Sequence, residues 1–213
     1  MSHARLSRSK RLFDVVVGTV SIVVTSPLLL IVAAAVRVTL GAPVFFRQRR
    51  PGLNGVPFEI VKFRTLTDQR DASGALLDDA RRMTSLGRWL RRTSLDELPE
   101  LFNVVRGEMS LVGPRPLLMQ YLDRYTPRQA RRHEVRPGIT GLAQVSGRNL
   151  VTWEERFEID VWYVENWTFG LDLKVLVRTL VKVVTREGIN QPGHETAREF
   201  LGSDGSRAAD ARR

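Results

Sequence analysis

Residues 15–36 (VVVGTVSIVVTSPLLLIVAAAV) run for 22 positions without a charge, bracketed by Asp14 and Arg37. That is the length of a helix that crosses or enters a bilayer. It exceeds the apolar region of a secretory signal, although Ala33-Ala34-Ala35 leaves a cleavage-site pattern to weigh. Ser26-Pro27 falls in the middle of the run, and a proline removes a backbone donor and crowds the preceding turn, so the pattern predicts a kink or break there. Basic residues stand on both sides: Arg5, Arg8, Lys10 and Arg11 before, Arg37, Arg47, Arg49 and Arg50 after. The positive-inside rule therefore gives no strong orientation. Three readings stay open at this level: a kinked span, a buried core helix, or a re-entrant segment that bends at Ser26-Pro27 and returns with both ends cytoplasmic. In the re-entrant form the backbone groups freed by the proline need partners, and the Ser26 hydroxyl is one candidate.

Beyond this run the patterning changes. Residues 44–50 and 56–66 look extended, and Pro51-Gly52 and Asn54-Gly55 between them predict a hairpin. Residues 67–79 are polar and read as a loop. Helical patterns occupy 80–92, 95–106, 117–124, 127–134 and 153–164, and the Gly-, Pro- and Ser-rich stretch 135–150 reads as structured loop. In 172–186, Leu173, Leu176, Val177, Leu180, Val181 and Val184 trace one helical face, with Lys174, Arg178, Lys182 and Arg186 every four residues beside it. A helix of that kind suits an anionic membrane surface; equally, it suits a helix docked on the core by its apolar face. No internal repeat is present. These elements predict an α+β, mostly helical chain. Its parts are an N-terminal apolar helix (1–40), a domain with a small β-hairpin and amphipathic helices (41–200), and a disordered tail (201–213).

The chain has 213 residues, enough for one domain of ordinary size with a real core. Its 33 Lys+Arg against 23 Asp+Glu give a net charge of +10, and 29 of the cations are Arg. Such a protein meets anions, whether nucleic acid, anionic lipid or phosphorylated substrates. The absence of Cys excludes a disulfide framework, a zinc ribbon and a Cys nucleophile, and three His make a His-rich metal site a poor expectation.

The densest chemistry lies in 91–116 (RRTSLDELPELFNVVRGEMSLVGPRP). Asp96 and Glu97 are adjacent carboxylates, and Ser94 with Glu97 matches a capping box, with Pro99 suited to a first helical turn. Whether a helix starts at Leu95 or at Pro99, the acidic pair stands at its N-terminus, where acids are commonly no more than stabilising. The surroundings shift that reading. Arg91 and Arg92 precede the pair, Arg115 stands between Pro114 and Pro116, and Lys62 and Arg64 end the second strand. Carboxylates among cations suggest phosphoryl chemistry, in which Asp can be a nucleophile and Mg²⁺ offsets phosphate charge; the same residues would also make ordinary surface ion pairs.

The combination resembles the bacterial sugar transferase family, the monotopic polyprenyl-phosphate phosphoglycosyl transferases. The matching pieces are Lys10-Arg11-Leu12-Phe13-Asp14, the apolar segment interrupted at Ser26-Pro27, Pro43-Val44-Phe45-Phe46-Arg47-Gln48 and Lys62-Phe63-Arg64-Thr65. They continue with Thr93-Ser94-Leu95-Asp96-Glu97-Leu98-Pro99, the run from Asn103 through Gly113-Pro114-Arg115-Pro116, and Arg136-Pro137-Gly138-Ile139-Thr140-Gly141. Leu66 and Glu108 are conservative departures, where Met and Asp are expected.

The resemblance implies transfer of a sugar-1-phosphate from a UDP-sugar to undecaprenyl phosphate, with release of UMP, as the first membrane step of glycan assembly. Asp96 matches the nucleophile that forms a covalent aspartyl phosphosugar. Glu97 matches the other half of the dyad, with a role toward Mg²⁺. Lys62, Arg64, Arg91, Arg115 and Arg136 fall in basic motifs suited to substrate phosphates, and Ser26-Pro27 matches the break of a re-entrant membrane helix. The resemblance thus implies a re-entrant membrane helix for 1–40 and a cytosolic catalytic domain with interfacial amphipathic helices for 41–200. The expected place is the cytoplasmic membrane with the active site on its cytosolic face. The expected partners are the UDP-sugar, undecaprenyl phosphate and membrane lipid; no nucleic acid is expected, and a homodimer is left open. At this length the extra N-terminal membrane helices and soluble domain of larger relatives are expected to be lacking. The rivals are a membrane-anchored nucleic-acid binder, disfavoured because the arginines form no single patch with interleaved aromatics, and an inactive adaptor, disfavoured by the intact Asp96-Glu97 pair.

Overall fold

The computed structural model describes residues 8–146, 152–185 and 199–202. It is mostly helical, with two small two-stranded sheets and one long apolar N-terminal helix.

That helix, α1 (Arg8–Leu40), continues through Pro27 as one element. The break expected at Ser26-Pro27 is therefore absent from the secondary structure, and the reason is local. Pro27 has no N–H to offer the Val23 carbonyl four residues earlier. The Ser26 hydroxyl donates to that same carbonyl at 2.8 Å, so the orphaned acceptor is satisfied.

Both ends of α1 pack on the rest of the protein. Near the start, Leu111 N donates to Asp14 at 3.2 Å, Lys10 forms an ion pair with Asp172, and Arg11 donates to the Val104 and Val105 carbonyls at 2.6 and 2.7 Å. Near the other end, Val32 and Val36 are buried with Phe63 and Leu90. Between and around these anchors, apolar side chains such as Val20, Val23, Val24, Leu28, Leu30 and Ile31 face outward.

The predicted hairpin forms from β1 (Phe45–Pro51) and β2 (Pro57–Phe63), antiparallel, with Phe45 opposite Phe63 and their rings stacked 5.4 Å apart. Asn54, at φ 56°, and Gly55, at φ 75°, make the turn. The helix expected over 80–92 is split into α2 (Asp79–Arg82) and α3 (Ser85–Thr93), because Thr84 caps the second piece, its hydroxyl accepting from Gly87 N at 3.0 Å. The pattern over 95–106 divides into a 3₁₀ turn (Leu95–Glu97) and α4 (Glu100–Arg106). Those at 117–124 and 127–134 are mainly 3₁₀ turns around α5 (Pro127–Ala130).

Sequence patterning gave no sign of a second, parallel pair. Strand β3 (Ser110–Val112) pairs with β4 (Gly138–Thr140), and α6 (Leu142–Ser146) follows, so part of the expected loop 135–150 is regular structure. The approach is close enough that a Cβ on Gly138 would lie 2.1 Å from Gly113 N, which dictates glycine there. Helix α7 (Trp153–Glu165) opens on a Thr152–Glu155 capping box.

Helix α8 (Phe169–Thr185) lies on the core by a different face from the apolar stripe read in the sequence. Asp172 and Val175 are buried, whereas Leu173, Val177, Leu180 and Val181 are exposed. Residues 203–213 of the expected tail, and Arg186, lie outside the described residues.

Candidate active site

The acidic pair is aimed by a tight turn. Helix α3 ends at Ser94, whose left-handed backbone (φ 56°) is uncommon for a residue with a Cβ. The chain then makes the 3₁₀ turn Leu95–Glu97 and enters α4 after Pro99. The capping box expected at Ser94 and Glu97 does not form: Ser94 makes no side-chain cap, and the Glu97 carboxylate is drawn elsewhere.

Glu97 Oε1 accepts from Lys62 Nζ at 2.6 Å, and Arg115 grips both carboxylate oxygens. Burial favours the neutral acid, but Arg115 and Lys62 outweigh it and hold the Glu97 carboxyl far below the usual carboxylate range. Lys62 also faces Glu100, with Nζ 3.0 Å from Oε1 but poorly aligned for a hydrogen bond. Glu100 is 1% exposed, and burial pushes its pKa up to about 7, against the pull of Lys62 and with the help of Glu97. Burial presses the Lys62 ammonium down, yet Glu97 and Glu100 overcome this and raise it.

Asp96 is 8% exposed, and no described residue makes a hydrogen bond or ion pair with its carboxylate. Desolvation raises its pKa, as does Glu97; Lys62, Arg115 and Arg91 oppose that rise. The arrangement gives two adjacent acids different surroundings. One is clamped by cations, and the other is left unengaged within their field.

A cavity of about 580 Å³ opens beside the pair. Ser94, Glu97, Arg91 and Arg115 contribute polar and charged lining, Leu98, Leu101, Ile139 and Val145 apolar lining, and Ser21 and Thr25 of α1 and Thr179 and Val183 of α8 also line it. Asp96 and Lys62 do not line it.

The other sequence-derived candidates divide. Arg91 lines the cavity and donates to the Thr65 hydroxyl at 3.1 Å. Arg64 does not line it: its guanidinium donates to the Leu66 and Ala42 carbonyls, both at 3.0 Å, and to Asp68 at 2.7 Å, tying the start of the hairpin together. Arg136 is also elsewhere, donating to the Gly107 carbonyl at 2.8 Å. In this structure both guanidinium groups are engaged with backbone carbonyls away from the cavity wall. Pro27 is exposed on α1, and Ser26 bonds within its own helix.

Sequence reasoning missed three residues. Arg156 and Asp160, on α7, line the cavity, and Arg132, fully buried, donates to Asp160 at 2.7 Å and to the Arg115 carbonyl at 2.7 Å. Thus the backbone of the Pro114-Arg115-Pro116 segment is held from behind. The i, i+4 spacing of Arg156 and Asp160 was visible in the sequence, but nothing there showed which way α7 faces.

The donor set for a divalent cation is small. Among the described residues no three His, Asp or Glu cluster as a metal site. One carboxylate unengaged and a second beside it fit Mg²⁺, which is commonly held by one or two carboxylates together with substrate phosphates.

The description of bacterial sugar transferases matches residues 5–186, and the chain belongs to that family. It is an enzyme, a phosphoglycosyl transferase. It is 57% identical over 194 residues to the uncharacterized sugar transferase EpsL of Bacillus subtilis, covering 91% of this chain and 96% of that protein. It is 42% identical over 183 residues to the UDP-glucose:undecaprenyl-phosphate glucose-1-phosphate transferase of Klebsiella pneumoniae, over 81% of this chain but only 39% of that longer protein. A Caulobacter vibrioides protein of the same name is 41% identical over 189 residues, across 84% of this chain and 70% of its own length.

Proposed function

We propose that this protein transfers a sugar-1-phosphate from a UDP-sugar to undecaprenyl phosphate by two displacements at one phosphorus. The observation that carries the reading is the unengaged Asp96 carboxylate beside a Glu97 clamped by Lys62 and Arg115. In the first step an Asp96 oxygen bonds to the sugar-bearing β-phosphorus, the bond to the bridging oxygen breaks, and UMP leaves with the electron pair. In the second, an oxygen of the polyprenyl phosphate bonds to the same phosphorus, the bond to Asp96 breaks, and the carboxylate is restored.

Two anions approach only if their charge is offset. Lys62, Arg91 and Arg115 supply positive field on Asp96, and partial desolvation strengthens it. Raising the Asp96 pKa also makes its carboxylate more basic, hence a better nucleophile, while the cations keep an ionised fraction available. Mg²⁺, held by Glu97 or Asp96 with the substrate's phosphates, would neutralise charge on the diphosphate.

The acceptor's long chain stays in lipid, so the site belongs at the membrane interface. A straight span would carry one end of α1 about 30 Å away across the bilayer. Burial of Lys10, Asp14 and Gly18 near one end of α1 and of Val32 and Val36 near the other instead supports a re-entrant helix with both ends on the cytosolic side of the cytoplasmic membrane. The exposed apolar face of α8 supports its lying at the same surface, with Lys174 and Arg178 toward anionic headgroups at about 1 kcal/mol per well-placed cation.

The test is UMP release from a panel of UDP-sugars with Mg²⁺ and undecaprenyl phosphate. Asp96→Asn abolishes it and leaves no sugar phosphate bound to protein; Glu97→Gln severely slows it. Labelled sugar phosphate trapped on the Asp96→Asn protein would overturn the nucleophile assignment.

A further inference from the structure

Lys62 Nζ stands between two carboxylates three residues apart. It donates to Glu97 Oε1 at 2.6 Å, and Glu100 Oε1 lies 3.0 Å away, out of line for a hydrogen bond. Glu100 is 1% exposed, and its Oε1 has no hydrogen-bond partner among the described residues. A buried acceptor left in this condition costs stability, and here an ammonium that could satisfy it is already within reach. The two displacements at phosphorus give Glu100 no task.

The two acids also differ in place. Glu97 lines the cavity, whereas Glu100 and Lys62 do not. Glu97 closes the 3₁₀ turn that carries Asp96, and Glu100 opens α4. Strand and helix are fixed to each other, because Val61 N donates to Asn103 Oδ1 at 3.1 Å. The Lys62 ammonium is not fixed in the same way: it ends a flexible four-carbon stem and carries three rotatable donors. A small rotation at its end aligns one N–H with Glu100 Oε1.

The inference rests on the reading of Glu97 as a ligand of a divalent cation. Glu97 Oε1 already receives Lys62 and Arg115, so a cation drawn to that oxygen meets an ammonium 2.6 Å from it. Like charges at this range repel, and Lys62 has to give way. With Glu97 as its only anion, the ammonium would be expelled from the turn. We infer that Glu100 is a positioning residue that takes over the Lys62 ammonium when Glu97 turns to the cation, and so keeps that positive charge at the turn bearing Asp96. Only hydrogen bonds are exchanged; no proton changes owner.

The full chain in nanodiscs of zwitterionic lipid tests this at pH 8, above the raised pKa of Glu100. Mn²⁺ is titrated in the presence of UMP and its binding read by electron paramagnetic resonance, without turnover. Wild type is expected to bind Mn²⁺ in a way that Glu97→Gln abolishes. Glu100→Gln is expected to weaken that binding roughly fivefold or more, with melting temperature retained. Glu100→Asp keeps the charge but withdraws it from the ammonium, and is expected to weaken binding roughly threefold or more. In a Lys62→Met background, Glu100→Gln is expected to change the affinity less than about twofold, since no ammonium remains to be held. Unchanged affinity in Glu100→Gln overturns the hand-over. So does Glu100→Asp equal to wild type, which makes charge alone sufficient, and so does a full effect of Glu100→Gln without Lys62. A second measurement needs no Glu100 variant. With lysine labelled at Cε, the Lys62 resonance, identified by its loss in Lys62→Met, is expected to shift when Mg²⁺ is added to the UMP-bound protein, and an unmoved resonance overturns the hand-over. Wild type with no Glu97-dependent Mn²⁺ refutes the metal role of Glu97 and the hand-over with it, whereas intact Mn²⁺ binding indifferent to Glu100 refutes the hand-over alone.

Discussion

Lys62 Nζ lies 2.6 Å from Glu97 Oε1, bringing the end of the hairpin onto the turn that carries the acidic pair. Hairpin and turn are 35 residues apart in the chain. Asn103 reinforces the same junction from α4, with its side chain accepting from Val61 N at 3.1 Å and donating to the Glu59 carbonyl at 2.8 Å. Removal of the ammonium in Lys62→Met leaves Glu97 with Arg115 alone and takes positive field from Asp96. Transfer is expected to fall by about a hundredfold or more, the scale of losing a pre-set electrostatic group. Steady-state UMP release checks it, and a variant with wild-type kcat contradicts the role.

Glu100 gives stability a pH slope. Its pKa rises from 4.5 unfolded to about 7 folded, so between those values the folded protein binds more protons than the unfolded chain. Its contribution therefore favours folding at the acid end of this window and is lost as pH rises through about 7. Glu97 adds no slope here, because its folded pKa lies below its unfolded value and both states are ionised in this window. Melting temperatures between pH 5 and 8 are expected to decline more steeply for wild type than for Glu100→Gln; identical slopes would rule the carboxyl out.

Native sequence lacks Cys, so single cysteines report topology without background. In intact cells, Arg8→Cys and Val38→Cys, both at exposed positions, are expected to resist a membrane-impermeant maleimide from the periplasmic side and to react in inverted vesicles. Labelling of the two from opposite sides would refute the re-entrant helix.

Ser26→Ala leaves the Val23 carbonyl without its 2.8 Å partner and is expected to cost about 1 kcal/mol. Pro27→Ala returns the backbone donor, and with it Ser26→Ala becomes nearly neutral. Non-additive melting shifts in this double-mutant cycle are the measurement, and simple additivity would show that the hydroxyl does not stand in for the missing amide.

Arg132→Met strands a buried Asp160 and releases the Arg115 carbonyl. The expected loss is about 3–5 kcal/mol, measured by denaturation, since an uncompensated buried charge remains. A loss below about 1 kcal/mol would mean that the pair is not essential to this packing.

The sequence by itself determined the long apolar helix, the hairpin and the presence of a carboxylate pair among cations. Each of these is local: a charge-free run, two extended segments around Asn54-Gly55, a few adjacent side chains. The Ser26 hydroxyl was also legible as a partner for backbone freed at Pro27, because donor and acceptor sit three residues apart. What stayed hidden depends on contacts across the chain. The β3–β4 pair joins segments three residues long, too short to show any period, and it exists because Gly113 and Gly138 allow the backbones to meet. The face of α8 that packs inward is chosen by Asp172, whose carboxylate gathers Lys10, Tyr163 and Trp167, rather than by its most apolar stripe. Arg64 and Arg115 look equivalent as letters in basic motifs. Packing across the chain surrounds one with backbone carbonyls and sets the other on the Glu97 carboxylate, because a guanidinium binds whichever acceptors folding brings to it.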